Sequence, residues 1–376
     1  ERVSKTANQS NRGLHLITSA AERERVAGFN LVAGRRAKTS TAYASALKYL
    51  HAGRELLTDE AWSPSPDLAF SLECLLAECE LLTADMATAE SRLSALAERA
   101  RTAHDTARVA SLRLTLYTAL DRSDRAVEIF LAYWRGCGTD WSAHPTEAQA
   151  LREYERIGSL LDGREIEDLV YLPLMTDGAL LDMLHVFTGV VAPALYTDPE
   201  LLALVICRMV SLSLEHGNCD ASCYAYVFLG MLAGPRFGNY PVGYRVGKLG
   251  HDLVEQRGLH RYRARAFMDF GTLVMPWTKH VRTGRGLQRR AFDVANKAGD
   301  LTYAAYSCNV LYTNLLAGGE PLPDVYRETD MGLAFATQAR MGLVVDVITT
   351  QRAFIRTLRG MTPAFGSFDE EGFDER

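Results

Sequence analysis

Four groups of residues have the side-chain types for chemistry. His216, Cys219 and Cys223, with Asp220 between them, are zinc-ligand types. A fourth ligand is missing nearby, and the two cysteines do not form a CxxC pair. The spacing sits better with His216 ending one helix, against its negative dipole end. Cys219 and Cys223 then fall on one face of the next helix and pack as small apolar residues. Arg261, Arg263 and Arg265 could form an anion patch. Because Arg261, Arg265 and Asp269 recur every fourth residue, ion pairing within one helix accounts for part of it. Trp277, in Met275-Pro276-Trp277-Thr278-Lys279-His280, reads as a packing anchor between hairpins. Asp59 with Glu60 and Glu370 with Glu371 are adjacent carboxylates in solvated stretches, unsuited to an acid/base couple.

The common catalytic motifs are missing. Gly247-Lys248 is followed by Leu249, and position 242 is Val, so this is no phosphate loop. Gly284-Arg285-Gly286 lacks the third glycine of a dinucleotide site. Neither GxSxG nor HExxH occurs. The chain is therefore expected to be no enzyme, and to need no cofactor and no metal.

Composition narrows the class further. Of 376 residues, 48% are hydrophobic and 23% charged, the balance of a folded chain. The net charge of -5 argues against a nucleic-acid partner, which would need a basic stripe. Seven scattered cysteines make no disulfide framework, so a reducing, cytoplasmic setting is expected. The apolar stretches 178–196 and 201–214 carry Asp182, His185 and Arg208, and read as buried helices rather than membrane spans. The chain opens Glu1-Arg2-Val3 and reads as an internal piece of something larger.

What would position these residues is helical throughout. Fifty Leu and 48 Ala favour helix, and apolar residues return at three and four in Tyr43, Ala46, Leu47, Leu50 and in Val109, Leu112, Leu116, Leu120. Thr146-x-x-Gln149 and Thr197-x-x-Glu200 read as capping boxes, and Gly299-Asp300 as a C-cap followed by an N-cap. Gly34, Gly217, Gly258 and Gly360 could close other helices. The segment count is about sixteen helices. Residues 243–250 lie over 287–294 at an offset of 44, and 291–295 over 332–336 at 41. A small residue recurs where two helices of a hairpin would meet. The segments 31–37, 79–85 and 122–127 echo the theme. The fold expected is all-α, a tetratricopeptide-like α-solenoid of antiparallel hairpins, with an irregular all-helical globule as the alternative. Its expected parts are a connector 1–19, a lobe 20–163, an irregular junction 164–197, a lobe 198–360 and an acidic connector 361–376.

In such stacks the first helix of each hairpin lines the groove. In the C-terminal lobe those helices start near Cys219, His260 and Leu301, and carry Tyr224, Arg265, Asp269, Asn309 and Tyr312 among apolar neighbours. Polar groups there are costly unless paired or used. They are either groove residues for a polar ligand or peptide, or they satisfy one another between hairpins.

Several stretches together resemble a known family. They are 22–38 with 42–47, Ser213-Leu214-Glu215-His216-Gly217-Asn218, Asp220-Ala221-Ser222, Pro276-Trp277-Thr278, 299–307 and Gly366-Ser367-Phe368-Asp369. They look like the helical region after the STAND/AAA-type ATPase module in bacterial hybrid signalling proteins. Those proteins chain a Ser/Thr-kinase-like domain, the ATPase, this region, a GAF domain and a histidine kinase. The likeness runs from Asn11 to Arg376 and brings no ligand-contact residues with it. It implies a non-catalytic sensor and coupling scaffold whose partners are the flanking ATPase and kinase domains, with a peptide or small-molecule effector. A constitutive protein-binding adaptor is the alternative.

Overall fold

The computed structural model describes residues 2–13, 16, 17, 19–57 and 65–369. The carboxylates Asp59, Glu60, Glu370 and Glu371 lie outside the described residues. Among those described the chain is all-α, with seventeen α-helices and no strand. Residues 1–145 with 177–202 make one compact unit, and 146–176 with 203–376 a second.

The first unit holds α1 (Arg2–Arg12), α2 (Ala20–Thr39), α3 (Tyr43–Glu55), α4 (Pro66–Leu82), α5 (Met86–Arg99), α6 (Ala103–Ala119) and α7 (Ser123–Gly136). The second begins with α8 (Glu147–Leu161) and a 3-10 turn, Ile166–Tyr171. The chain then supplies the first unit with α9 (Gly178–Thr197), and α10 (Pro199–His216) crosses the division. The second unit continues with α11 (Asp220–Ala233), α12 (Tyr240–Arg257), α13 (Arg263–Asp269), α14 (Arg285–Ala298), α15 (Leu301–Ala317), α16 (Leu322–Gln338) and α17 (Gly342–Leu358).

Consecutive helices pack as hairpins: α2 on α3, α4 on α5 and α6 on α7, then α11 on α12, α14 on α15 and α16 on α17. Between hairpins alternate helices touch in series, α2 to α4 to α6 and α11 to α13 to α15 to α17. The repeat is written in the turns. After α2, α4, α6 and α16 the chain enters the left-handed region at Thr41, Ala84, Asp121 and Arg340, and after α14 at Gly299. Each time the next amide reaches back five residues: Ala42 to Ala37, Asp85 to Glu80, Arg122 to Tyr117, Asp300 to Ala295 and Met341 to Ala336. That bond satisfies an orphan carbonyl at the helix end and fixes the reversal. These turns, 43, 37 and 41 residues apart, are the periodicity seen in the sequence.

Close approach within a hairpin needs glycine. A Cβ on Gly230 of α11 would stand 2.6 Å from the Gly243 carbonyl oxygen and 2.9 Å from the Gly247 Cα, both on α12. Gly243 faces Gly230 in return, and Gly250 lies against the Cys223 carbonyl. The small residues aligned in the sequence do sit at contacts: Gly247 against Val274, Ala291 fully buried, Gly332 under the Tyr312 ring. Gly34 does not end a helix. It lies inside α2, where its missing side chain admits Leu50 of α3.

The N-terminal stretch carries α1, and Asn11 and Asn30 exchange amide hydrogen bonds of 2.8 and 2.9 Å. Thr146 and Gln149 form the expected box at α8. At α10 the cap is Asp198 instead, accepting from Glu200 and Leu201 at 2.8 and 2.9 Å, while the Thr197 hydroxyl bonds back to Pro193 inside α9. Pro199 explains the shift, because proline favours the position just after the cap.

The helix α9 is apolar and long enough to cross a membrane by length and composition, with a mean hydropathy of 1.6, despite Asp182 and His185. In the first unit it buries Leu184, Val186, Phe187, Val190 and Val191. Phe187 stands edge-on to Phe130 and Trp134 of α7, with ring centroids 4.9 Å apart in each pair.

Residues 164–176 are pinned to the second unit. Arg245 of α12 bonds Glu165 at 2.7 Å and Glu167 at 2.6 Å, and the Asn218 amide bonds the Leu169 carbonyl at 2.8 Å. Gly217, at φ +100, passes against the Pro173 carbonyl.

Glycine at position 230 is thus structural and glycine at position 28 is not, since nothing lies within 4 Å of a Cβ added there. Gly230→Ala is expected to destabilise the second unit by about 1–3 kcal/mol. Gly28→Ala, inside α2, should stabilise the first by up to about 1 kcal/mol. Urea unfolding of both variants against wild type is the check.

Candidate functional site

Three of the five groove candidates come together in the second unit. Tyr224 lies on α11, Arg265 and Asp269 on the short α13, and the site is completed by Tyr262 and by Tyr303 of α15. The Arg265 guanidinium carbon stands 4.4 Å from the centroid of the Tyr303 ring, 5.3 Å from Tyr262 and 6.0 Å from Tyr224. A guanidinium is weakly hydrated and stacks on aromatic faces, so three phenols can replace part of its water shell. Tyr224 and Tyr303 are hydrogen-bonded neighbours. Burial raises the phenol of Tyr224 well above its usual range and that of Tyr303 to about 12. Both stay protonated near neutrality.

Asp269 is the second charge of the site. It is buried, at 5% exposure, and burial pushes its carboxyl up to about 7, with the Arg265 charge pulling the other way. Directly after it the backbone widens into a π-helical turn, Phe270–Val274, and then tightens into the 3-10 turn Met275–Trp277.

The helix expected from His260 starts only at Arg263. Arg261 is therefore outside it, and its backbone N–H donates to the Asp220 carboxylate at 2.7 Å. The spaced ladder of Arg261, Arg265 and Asp269 does not form.

Asn309 and Tyr312 lie elsewhere on α15. The Asn309 oxygen accepts from Gln351 of α17 at 2.7 Å, and Gln351 also donates to Thr313 at 2.8 Å. Tyr312 is buried against Gly332 of α16 and donates to the Cys308 sulfur. Both residues join neighbouring helices.

Sequence reasoning missed Tyr262 and Tyr303. The Asp300 cap places Tyr303 in the first turn of α15, but the sequence does not place that turn beside α13.

The other sequence candidates have structural surroundings. His216 is the exposed last residue of α10, and Cys219 caps α11 with Ser222, whose hydroxyl accepts from the Cys219 amide at 2.9 Å. Cys223 is buried. Among the described residues no group of three His, Cys, Asp or Glu side chains is gathered as a metal site would need. All seven cysteines are free thiols, and burial pushes Cys74 up to about 12 and Cys79 to about 11, the opposite of an activated nucleophile. Trp277 packs on Tyr240, with centroids 5.4 Å apart, but stays 54% exposed.

No protein-family profile matches the chain. Over 381 aligned residues it is 21% identical to hybrid signal transduction histidine kinase G of Dictyostelium discoideum. That alignment takes in 94% of this chain and 11% of the relative, so the chain spans a small part of that protein's length. Among solved structures, a circular tandem repeat protein with novel repeat topology and enhanced subunit contact surfaces aligns over 96% of this chain and 90% of its own. Its identity is 15% and its TM-score 0.24, too low to bear on the fold, which rests on the helix pairing alone.

A carboxyl raised above its ordinary value holds a proton in the folded state that the unfolded chain has released. Its contribution to stability therefore falls as pH rises from about 4 to about 7, and is flat above. Wild type is expected to lose stability across that window relative to Asp269→Asn, which has no proton to release. Urea midpoints at pH 5 and pH 8 measure it. Parallel pH profiles would place Asp269 in an ordinary carboxylate environment.

Proposed function

We propose that this chain is a non-catalytic scaffold of a signalling kinase, coupling an input at its helical hairpins to kinase and ATPase modules of the same natural gene product. The observation that carries the reading is the similarity to a hybrid histidine kinase across 94% of this chain but 11% of that protein. Coverage of that kind is what one region of a longer signalling protein would give. The seven free thiols fit a reducing, cytoplasmic setting.

The physics of the fold suits the role. Each hairpin contacts its neighbours, so a ligand or partner that favours one spacing of helices biases the whole series. Arg265 is placed for this. Its guanidinium is shared by rings from α11, from the start of α13 and from α15, so these elements cannot separate without exposing it. An input must bind two states of the array with different affinity, since equal affinity shifts nothing. The flanking modules expected are the STAND-type ATPase, Ser/Thr-kinase-like, GAF and histidine-kinase domains of the resembling family.

The test is autophosphorylation by the natural full-length product, wild type against Arg265→Ala, with circular dichroism of both. The proposal expects a kinase module in that product and an altered basal rate with helix content unchanged. A product with no kinase or ATPase module overturns the reading, as does saturable micromolar ATP binding by the present chain alone.

A further inference from the structure

The tyrosines around Arg265 shelter its charge but leave its hydrogen-bond donors unused. A guanidinium carries five N–H donors along its edge, and stacked rings cover only its flat faces. Among the described residues Arg265 makes no hydrogen bond and no ion pair, and the Tyr303 ring at 4.4 Å is its nearest aromatic neighbour. Asp269 stands one turn on, at the spacing where a helix ordinarily joins arginine to carboxylate. It too makes no hydrogen bond or ion pair with a described residue, although it is only 5% exposed.

Polar groups so enclosed are destabilising unless something meets them. Neither residue has a polar atom that is both unpaired and sealed from solvent. Lacking a protein partner, the guanidinium and the carboxyl therefore border space that a solvent molecule can reach, on one face of α13. Burial pushes the Asp269 carboxyl up to about 7, so at mildly acid pH it holds a proton it can donate. Tyr224 and Tyr303 bond each other, and two phenols joined by one hydrogen bond keep one O–H to give. Net charge does not choose the ligand here. Asp300, whose carboxylate caps α15 on the Tyr303 amide at 3.1 Å, acts on Arg265 from nearby and offsets its charge. The donors choose it: guanidinium edge, protonated carboxyl and phenol are together the complement of an oxyanion.

We propose that the Arg265 site binds the oxyanion group of a small ligand, a carboxylate or a phosphate. The guanidinium edge holds two of its oxygens, and Asp269 and a tyrosine hydroxyl donate to the remaining lone pairs. As an anion site it stands without the signalling reading; where both hold, the anion is the input.

Acetate and inorganic phosphate are the probes, each titrated at pH 6 into the whole chain against chloride of equal ionic strength. The readout is the Nε–H NMR signal of Arg265, assigned through its backbone. That signal is expected to shift saturably in the millimolar range, and the tighter-binding probe identifies the head group. Arg265→Lys keeps the charge and loses the fork. Amide shifts on α13 and around Tyr303 should show it binding about tenfold or more weakly. Tyr303→Phe, which keeps the ring and removes the hydroxyl, should weaken binding by a smaller factor. Absence of a saturable Arg265 shift with both probes overturns the assignment, as does equal affinity in Arg265→Lys and wild type. Should Arg265→Lys fail to fold, the wild-type titration decides alone. Autophosphorylation of the full-length product reads a different quantity, so the site and the signalling reading can each fail separately.

Discussion

Helix backbones in this protein approach to the point where a single methyl group would not fit, and much of the second unit depends on that contact. Where α11 crosses α12, glycine faces glycine, and carbonyl oxygens occupy the space a Cβ would need. At that separation dispersion between backbones is near its maximum, and no side-chain entropy is lost at the crossing. The contact also sets geometry. With the first hairpin closed so tightly, Tyr224 on α11 comes within reach of the start of α13, and Arg265 finds rings from successive hairpins around it. In the first unit Gly34 and Gly53 instead make room for side chains of neighbouring helices, Leu50 of α3 and Leu72 of α4.

The charged residues follow from this tight frame. Each unit encloses a small number of ions, and each solves the cost of desolvation differently. In the second unit, tyrosine rings shelter the Arg265 guanidinium, and Asp269 meets its burial by holding a proton up to about pH 7. In the first, carboxylates and guanidiniums alternate, Arg54 to Glu73 to Arg92 to Glu80, so that each ion has a counter-ion. The stretch between α8 and α9 is held by several donors of the second unit. Asn218 and Arg257 bind the carbonyls of Leu169 and Val170 in the 3-10 turn that follows α8.

What the sequence made legible was local chemistry with a fixed period. The helical content, the Thr146 box, the Asp300 cap and the small residues at 247, 291 and 332 depend on neighbours within one or two turns, and the pattern of types records them. The turns at Thr41, Ala84, Asp121 and Arg340 were visible only as spacing, because none of them carries the glycine that usually marks a left-handed residue. Gly34 misled for the converse reason, as its use is a contact with Leu50 in another helix. The Thr197 box failed because Pro199 moved the cap by one residue. The tyrosine site was half legible: Tyr224, Arg265 and Asp269 stood out as polar residues in apolar helices. Tyr262 and Tyr303 did not, since nothing in a single sequence records that two helix starts lie side by side. The ion-pair series of the first unit was hidden by the same kind of distance, 19 residues between Arg54 and Glu73.

If neighbour-to-neighbour packing around glycine contacts holds the second unit together, its stability must be graded along the chain. Native-state amide hydrogen exchange in increasing sub-denaturing urea reads that gradient directly. The account predicts that the amides of α11 and α12 open last, with protection falling through α14 and α15 to α16 and α17, which has a neighbour on one side. If the amides of α17 and α11 instead exchange through one shared opening of equal free energy, the unit is a single cooperative globule. That outcome would contradict the stacked-hairpin account.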